Sequence, residues 1–160
     1  MRLGHVHLKV RRLERAIGFY RDVLALAVVE RLPGQYAFLS FGVAHHDLAL
    51  QAVGEDAPGP SPQGVGLYHS AFEVPSEREL LAAWDRLDRL GVAHADVDHG
   101  ISWAVYFNDP DGNGVEVYLD RRHAKGGREV WNGVSGRLTR ERVAREAEAA
   151  PSSGMHTEAR

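Results

Sequence analysis

Two stretches of this chain repeat one another, and that repeat narrows the fold more than any other feature. Residues 4–10 read Gly-His-Val-His-Leu-Lys-Val and residues 68–74 read Tyr-His-Ser-Ala-Phe-Glu-Val. In register, His5 falls on His69, Leu8 on Phe72 and Val10 on Val74. Both alternate with period two, the pattern of a half-buried strand. Successive strand side chains point to opposite faces, so His5, His7 and Lys9 share one face, and Val6, Leu8 and Val10 the other, ready to pack under a helix. Repeated units of this kind bury their apolar faces against one another, and neither half closes a core alone.

The same succession follows each of the two strands. Leu13, Ile17, Tyr20 and Leu24 recur at helical spacing after the first, and Leu80, Trp84 and Leu87 after the second. Ser76 and Glu79 form a capping box, and Gly91 supplies a C-terminal cap. Extended segments are predicted at about 28–32, 36–42 and 46–53, then about 93–97, 101–108 and 114–119. Asp109-Pro110-Asp111-Gly112-Asn113-Gly114 is a turn between the last two. The chain is therefore expected to be α+β, two tandem βαβββ modules (about 3–54 and 66–120) in one domain, 1–120, joined by the proline-rich linker Gly54–Gly64. Residues 121–160 form a C-terminal extension, with one weak helix at about 137–149 and a mobile Pro-Ser-Ser-Gly tail.

Composition excludes several classes. A net charge of -3 speaks against nucleic acid as a partner. No apolar run suits a membrane span, and Met1-Arg2-Leu3-Gly4-His5 does not read as a signal peptide, so a soluble, cytoplasmic protein is expected. The absence of cysteine removes disulfides, thiolate metal sites and cysteine nucleophiles, and leaves nine histidines as the chemical resource.

Three residues stand out. His5 and His69 occupy equivalent places in the two units, and Glu116, in Val-Glu-Val-Tyr, is an acid among apolar neighbours that needs a partner if buried. Taken singly, each reads as an ordinary polar group of the surface or core. Taken together, two imidazoles and a carboxylate form the open-sided ligand set of non-haem Fe(II) oxygenases, a set that Mn(II) also accepts.

Gly4-His5-x-x-Leu8-x-Val10, Phe19-Tyr20-x-x-Val23-Leu24, His69-x-Ala71-Phe72-x-Val74 and Asp109-Pro110-Asp111-Gly112-Asn113 before Glu116 resemble the vicinal oxygen chelate superfamily over about residues 3–120. Within it the chain looks most like a one-domain type I extradiol dioxygenase of the catechol 2,3-dioxygenase group. The resemblance implies an open barrel of βαβββ modules with Fe(II), or Mn(II), held by His5, His69 and Glu116. His45-His46-Asp47-Leu48-Ala49-Leu50 resembles the family segment bearing the acid/base histidine, which maps to His46. Asp98-His99-Gly100 resembles the family's His-Gly element, and Tyr106, ten residues before Glu116, matches the tyrosine that orients the catechol and helps deprotonate it. What this implies is insertion of both atoms of O2 into a catechol-type substrate, monocyclic or bicyclic, with His46 shuttling protons. The interval from His99 to Tyr106 is shorter than in the two-domain enzymes, whose second module pair is absent here; a homodimer or higher homo-oligomer is expected to complete the surface.

Rival readings remain on the same fold. Glyoxalase- or epimerase-type isomerases and lyases usually add a fourth protein ligand from the last strand of the first unit. Here Leu48 and Leu50 are expected on the His46 face with Gln51 turned away, which favours an open site. Thiol-transfer resistance enzymes need potassium and phosphonate contacts that two lysines, Lys9 and Lys125, supply poorly. A metal-free antibiotic-binding protein is the alternative of another class, and there the ligand set is generally missing. His45, His94, His123 and His156 read as solvated, His7 as pocket-lining or structural, Tyr68 and Trp103 as packing or rim residues, and the arginine-rich stretch 137–145 as a solvated helix face. Loops 31–35 and 42–45 and the tail around Trp131 are candidates to lie over the mouth.

Overall fold

The computed structural model describes residues 1–149. Its first unit runs β1 (Val6–Val10), α1 (Leu13–Leu24), β2 (Ala27–Leu32), β3 (Tyr36–Ser40) and β4 (Leu48–Ala52). The second repeats it as β5 (Ser70–Glu73), α2 (Glu77–Arg89), β6 (His94–Asp98), β7 (Ser102–Asn108) and β8 (Gly114–Asp120). Beyond lie a two-residue strand, β9 (Gly136–Arg137), and α3 (Arg140–Ala149). The strands form two unclosed sheets, β1-β4-β3-β2 and β5-β8-β7-β6-β9, with β1 and β5 each pairing in parallel with the last strand of its unit. The α+β expectation holds, and β9 is an addition to it. The expected mobile tail lies outside the described residues.

Each helix forms where its apolar stripe meets a sheet. α1 buries Leu13, Ala16, Ile17, Tyr20, Val23 and Leu24, and ends where Ala25 takes a left-handed conformation. At the start of α2 the Ser76 hydroxyl accepts from the Arg78 amide and contacts the Glu79 carboxylate, and Gly91 ends the helix at φ +65°. Leu8, Val10, Leu48 and Leu50 of the first sheet, and Val105, Phe107, Val115, Val117 and Leu119 of the second, face a common core.

Contacts of the β7–β8 turn stitch the units together. Asp109 Oδ1 accepts from the amides of Asp111 and Asn113, shaping the turn, while Oδ2 accepts from the buried Tyr20 hydroxyl of α1 at 3.1 Å. Asp111, itself buried, takes Arg11 at 3.3 Å and Arg15 at 2.5 Å, and Asn113 Nδ2 donates to the Lys9 carbonyl. Burial and the charge of Asp109 push the Tyr20 hydroxyl far up, which keeps it a neutral donor.

The segment after β8 folds back on the second unit. Arg121, buried over the Trp103 ring, reaches Glu77 of α2 and Glu146 of α3. Arg142 pairs with Asp98 at 2.5 Å, and Arg140 with Asp85 and Asp88. The stretch 137–145 therefore has a docked face, because Arg140 and Arg142 meet acids of α2 and β6 while Leu138 and Val143 are buried; Arg137 and Arg145 remain exposed. Trp103 is a core residue.

Candidate functional site

His5 and His69 are each the residue immediately before the first strand of its unit, so the repeat sets them at equivalent places at one end of the two sheets. Neither is held by the ladder itself. Glu116 sits mid-strand in β8, directly opposite Tyr106 of β7 on one side and Ala71 of β5 on the other. Side chains at opposed positions share a face, which brings Tyr106, Glu116 and the His69 end of β5 together.

The result is a continuous line of close polar contacts, hydrogen-bonded from Glu116 through Tyr106 to His99. His69 Nε2 lies 2.9 Å from Glu116 Oε2, Tyr106 donates to Glu116 Oε1 at 2.7 Å, and His99 Nε2 stands 2.9 Å from the Tyr106 oxygen. Beyond it His99 Nδ1 is 2.7 Å from Ser135 Oγ. Glu116 is 8% exposed, and its two partners offset the cost of burying a carboxylate. Burial first, and then Glu116, raise the Tyr106 hydroxyl well above its ordinary value. His69 Nδ1 is buried with no hydrogen-bond partner.

The first unit supplies a second cluster. The His5 ring lies 4.3 Å from that of His46, which meets Phe38 edge-on at 5.0 Å and has Nδ1 2.9 Å from Nδ1 of His45. Desolvation, then the neighbouring His5 and His45, hold His46 below the usual histidine range. A cleft of about 200 Å³ lies beside His5, bordered also by Phe41, Asp47, Ala71 and Phe72. The rings of Phe41 and Phe72 approach to 6.0 Å across it.

Two of the three expected ligands thus converge, while His5 is paired with His46. Among the described residues no three side chains of the ligating types lie close enough together to hold a metal ion. The donor chemistry of the converged pair nonetheless fits one. Two ligands at about 2.1 Å from a metal and at right angles stand about 3 Å apart, and the imidazole nitrogen and carboxylate oxygen of His69 and Glu116 are 2.9 Å apart.

Several side chains stand elsewhere than expected. Gln51 is not turned away: it pairs with Lys9 and Tyr36, donates to the Tyr36 hydroxyl at 3.1 Å, and shares the face of His7. Leu48 and Leu50 are the buried face. The strand starts at Leu48, so alternation does not extend back to His46. His94 is not solvated either; its side chain is 13% exposed, with Asp96 at 2.8 Å, Asp88 at 3.1 Å and Trp84 edge-on. His7, His45 and His123 are exposed, and His156 lies outside the described residues. Trp131 stands edge-on to His99 at 6.2 Å. Ser135 was not foreseen, and no motif marks it; only the pairing of β9 with β6 brings it there.

Comparison with known proteins agrees with this architecture. The family model described as "Glyoxalase/Bleomycin resistance protein/Dioxygenase superfamily" matches residues 2–117. Catechol-2,3-dioxygenase of Bacillus subtilis (strain 168) is 35% identical over 123 residues, covering 74% of this chain and 41% of that protein. Biphenyl-2,3-diol 1,2-dioxygenase 3 of Rhodococcus globerulus is 36% identical over 121 residues, covering 74% and 63%. This chain therefore spans less than two thirds of the length of either relative. Among solved structures, lactoylglutathione lyase from Agrobacterium tumefaciens superposes with a TM-score of 0.59 at 28% identity, covering 78% of this chain and 97% of that one. The chain belongs to the glyoxalase/bleomycin resistance protein/dioxygenase superfamily.

Proposed function

We propose that the chain is an Fe(II)-dependent extradiol dioxygenase, with Mn(II) as the other admissible ion, acting on a catechol-type aromatic and O2. His5, His69 and Glu116 are its ligands, His46 its acid/base, and His99 and Tyr106 the groups that position substrate. The observation that carries the reading is the His69–Glu116–Tyr106–His99 line, in which a ligand-competent pair adjoins two polar groups able to bind a diol. The names of the two dioxygenase relatives support it. For His5 to join the pair, its exposed ring must leave His46, which frees the His46 ring as well.

Bound by these residues, the ion supplies Lewis acidity toward the diol oxygens and an adjacent place for O2. The chain's own groups do the rest. Tyr106 and His99 fix the diol oxygens by hydrogen bonds, Phe41 and Phe72 give the cleft an apolar border, and His46, held below the usual histidine range, takes and returns a proton. We further propose that residues 1–120 act as one domain and that the protein is a cytoplasmic homodimer or higher oligomer. The sheet edge β2, exposed along its whole length with Val28, Val29 and Leu32, supports such an assembly. No helix among the described residues is long and apolar enough to cross a membrane.

The test is anaerobic loading with Fe(II), then oxygen uptake with a panel of catechols while the yellow ring-cleavage product is followed. Uptake matched by chromophore, and lost in His46→Ala and Glu116→Ala, is the expected result. Stoichiometric metal with no uptake sinks the reading. It would favour an isomerase or lyase, the reading supported by Gln51 on the site face and by the similarity to lactoylglutathione lyase. No metal at all leaves a metal-free binding protein.

A further inference from the structure

β9 runs antiparallel to β6 with Val97 opposite Arg137 and Asp98 opposite Gly136. One step further the register sets His99 opposite Ser135, and opposed side chains share a face. Ser135 Oγ accordingly lies 2.7 Å from His99 Nδ1. The direction of the protons is dictated from the other end of the line. The Glu116 carboxylate only accepts, so Tyr106 donates to it, and the Tyr106 oxygen in turn accepts from His99 Nε2–H. A neutral His99 protonated on Nε2 presents a bare lone pair at Nδ1, and the Ser135 hydroxyl meets it by donating.

We propose that Ser135 is a positioning residue of the site: by clamping His99 at Nδ1 it holds the ring in the orientation and tautomer that offer Nε2–H to Tyr106 and to a bound substrate. The terminal torsion of histidine is broad, so a ring bonded at one nitrogen only is free to turn. Bonded at both, it turns only by breaking a bond. The segment after β8 is therefore a working part of the site, and the fold secures its register on both sides of Ser135. Arg128 N donates to the Gly100 carbonyl at 2.9 Å, Leu138 N to that of Asp96 at 3.2 Å, and Arg142 holds Asp98. That His99 faces substrate rests on the function proposed above; the clamp itself does not.

The experiment is 15N NMR of the imidazoles in the full chain, freed of paramagnetic metal, for the wild type, Ser135→Ala and Ser135→Thr. The expected result is two well-separated ring-nitrogen shifts for His99, marking a single Nε2–H tautomer, in the wild type and Ser135→Thr. In Ser135→Ala the two shifts draw together as both tautomers populate. With Fe(II) restored and a catechol that the wild type cleaves, Ser135→Ala lowers kcat/KM about tenfold and Ser135→Thr restores it. Ser135 is exposed and lies just before β9, so equal thermal midpoints confirm that the fold is intact. Unchanged His99 shifts in Ser135→Ala overturn the proposal, as does a Ser135→Thr variant as disturbed as Ser135→Ala. A single wild-type tautomer that Ser135→Ala releases, with no oxygen uptake by the wild type, supports the clamp and defeats the dioxygenase reading alone.

Discussion

Gly114 shows how a single residue limits the site. A Cβ added there would stand 2.3 Å from the Tyr68 carbonyl oxygen and 3.2 Å from His69 Cβ, so β8 approaches the His69 segment only because this position has no side chain. Gly114→Ala is expected to cost about 2 kcal/mol and to push His69 away from Glu116; a lowered thermal midpoint together with weakened metal binding in titration checks it. His94 carries a pH signature. Burial alone would lower its pKa, but hydrogen bonds and charge from Asp88 and Asp96 outweigh burial and raise it, while burial keeps Asp96 above the ordinary carboxylate range. A histidine whose folded pKa is raised contributes stability in full below its unfolded pKa of about 6.5 and loses it as pH climbs through the folded value. The difference in urea midpoint between wild type and His94→Gln should therefore be largest below about pH 6 and vanish in alkaline solution. A pH-independent difference would contradict this. Of these two residues, Gly114 was legible only as part of a turn and His94 only as a polar residue, because a neighbour's carbonyl and the acids of two other elements decide what each does.

At the scale of elements, the docking of α3 depends on Arg121. Its guanidinium joins α2, α3 and the Trp103 ring from a buried position, and removing it leaves Glu77 and Glu146 facing one another uncompensated. Arg121→Ala is expected to cost about 2–3 kcal/mol, below a fully buried pair because Glu146 stays accessible to water. Hydrogen exchange should show α3 and β9 losing protection before the sheets do. If α3 kept its protection, the apolar contacts of Leu138 and Val143 would be sufficient to dock it. The helix was legible from its sequence, but its arginines read as solvated, since nothing local reveals that Asp85, Asp88 and Asp98 face them across a gap in the chain.

For the whole molecule, the contact between the two units governs stability. Tyr20→Phe removes one buried hydrogen bond to Asp109 and should cost about 1 kcal/mol, whereas Asp109→Ala also strips the turn amides of Asp111 and Asn113 and should cost about 3 kcal/mol. Denaturant titration of both variants checks the ratio; similar losses would mean that the turn survives without its aspartate. The two variants should not add when combined, because they share a hydrogen bond.

The sequence by itself determined the duplicated βαβββ order, the helix stripes, the β7–β8 turn and the equivalence of His5 with His69. All of these rest on periodicity and turn chemistry within a few residues, which a chain carries wherever it folds. It also marked Glu116, since a strand pattern displays an acid among apolar residues, whereas Tyr106 was singled out only by the resemblance to the vicinal oxygen chelate superfamily. Only the tertiary structure decided that Gln51 shares the face of His7, because the face of a side chain depends on where its strand begins and β4 begins at Leu48. Only it brought Ser135 to His99, because that meeting depends on the register of a two-residue strand, which docking of α3 and not local propensity sets.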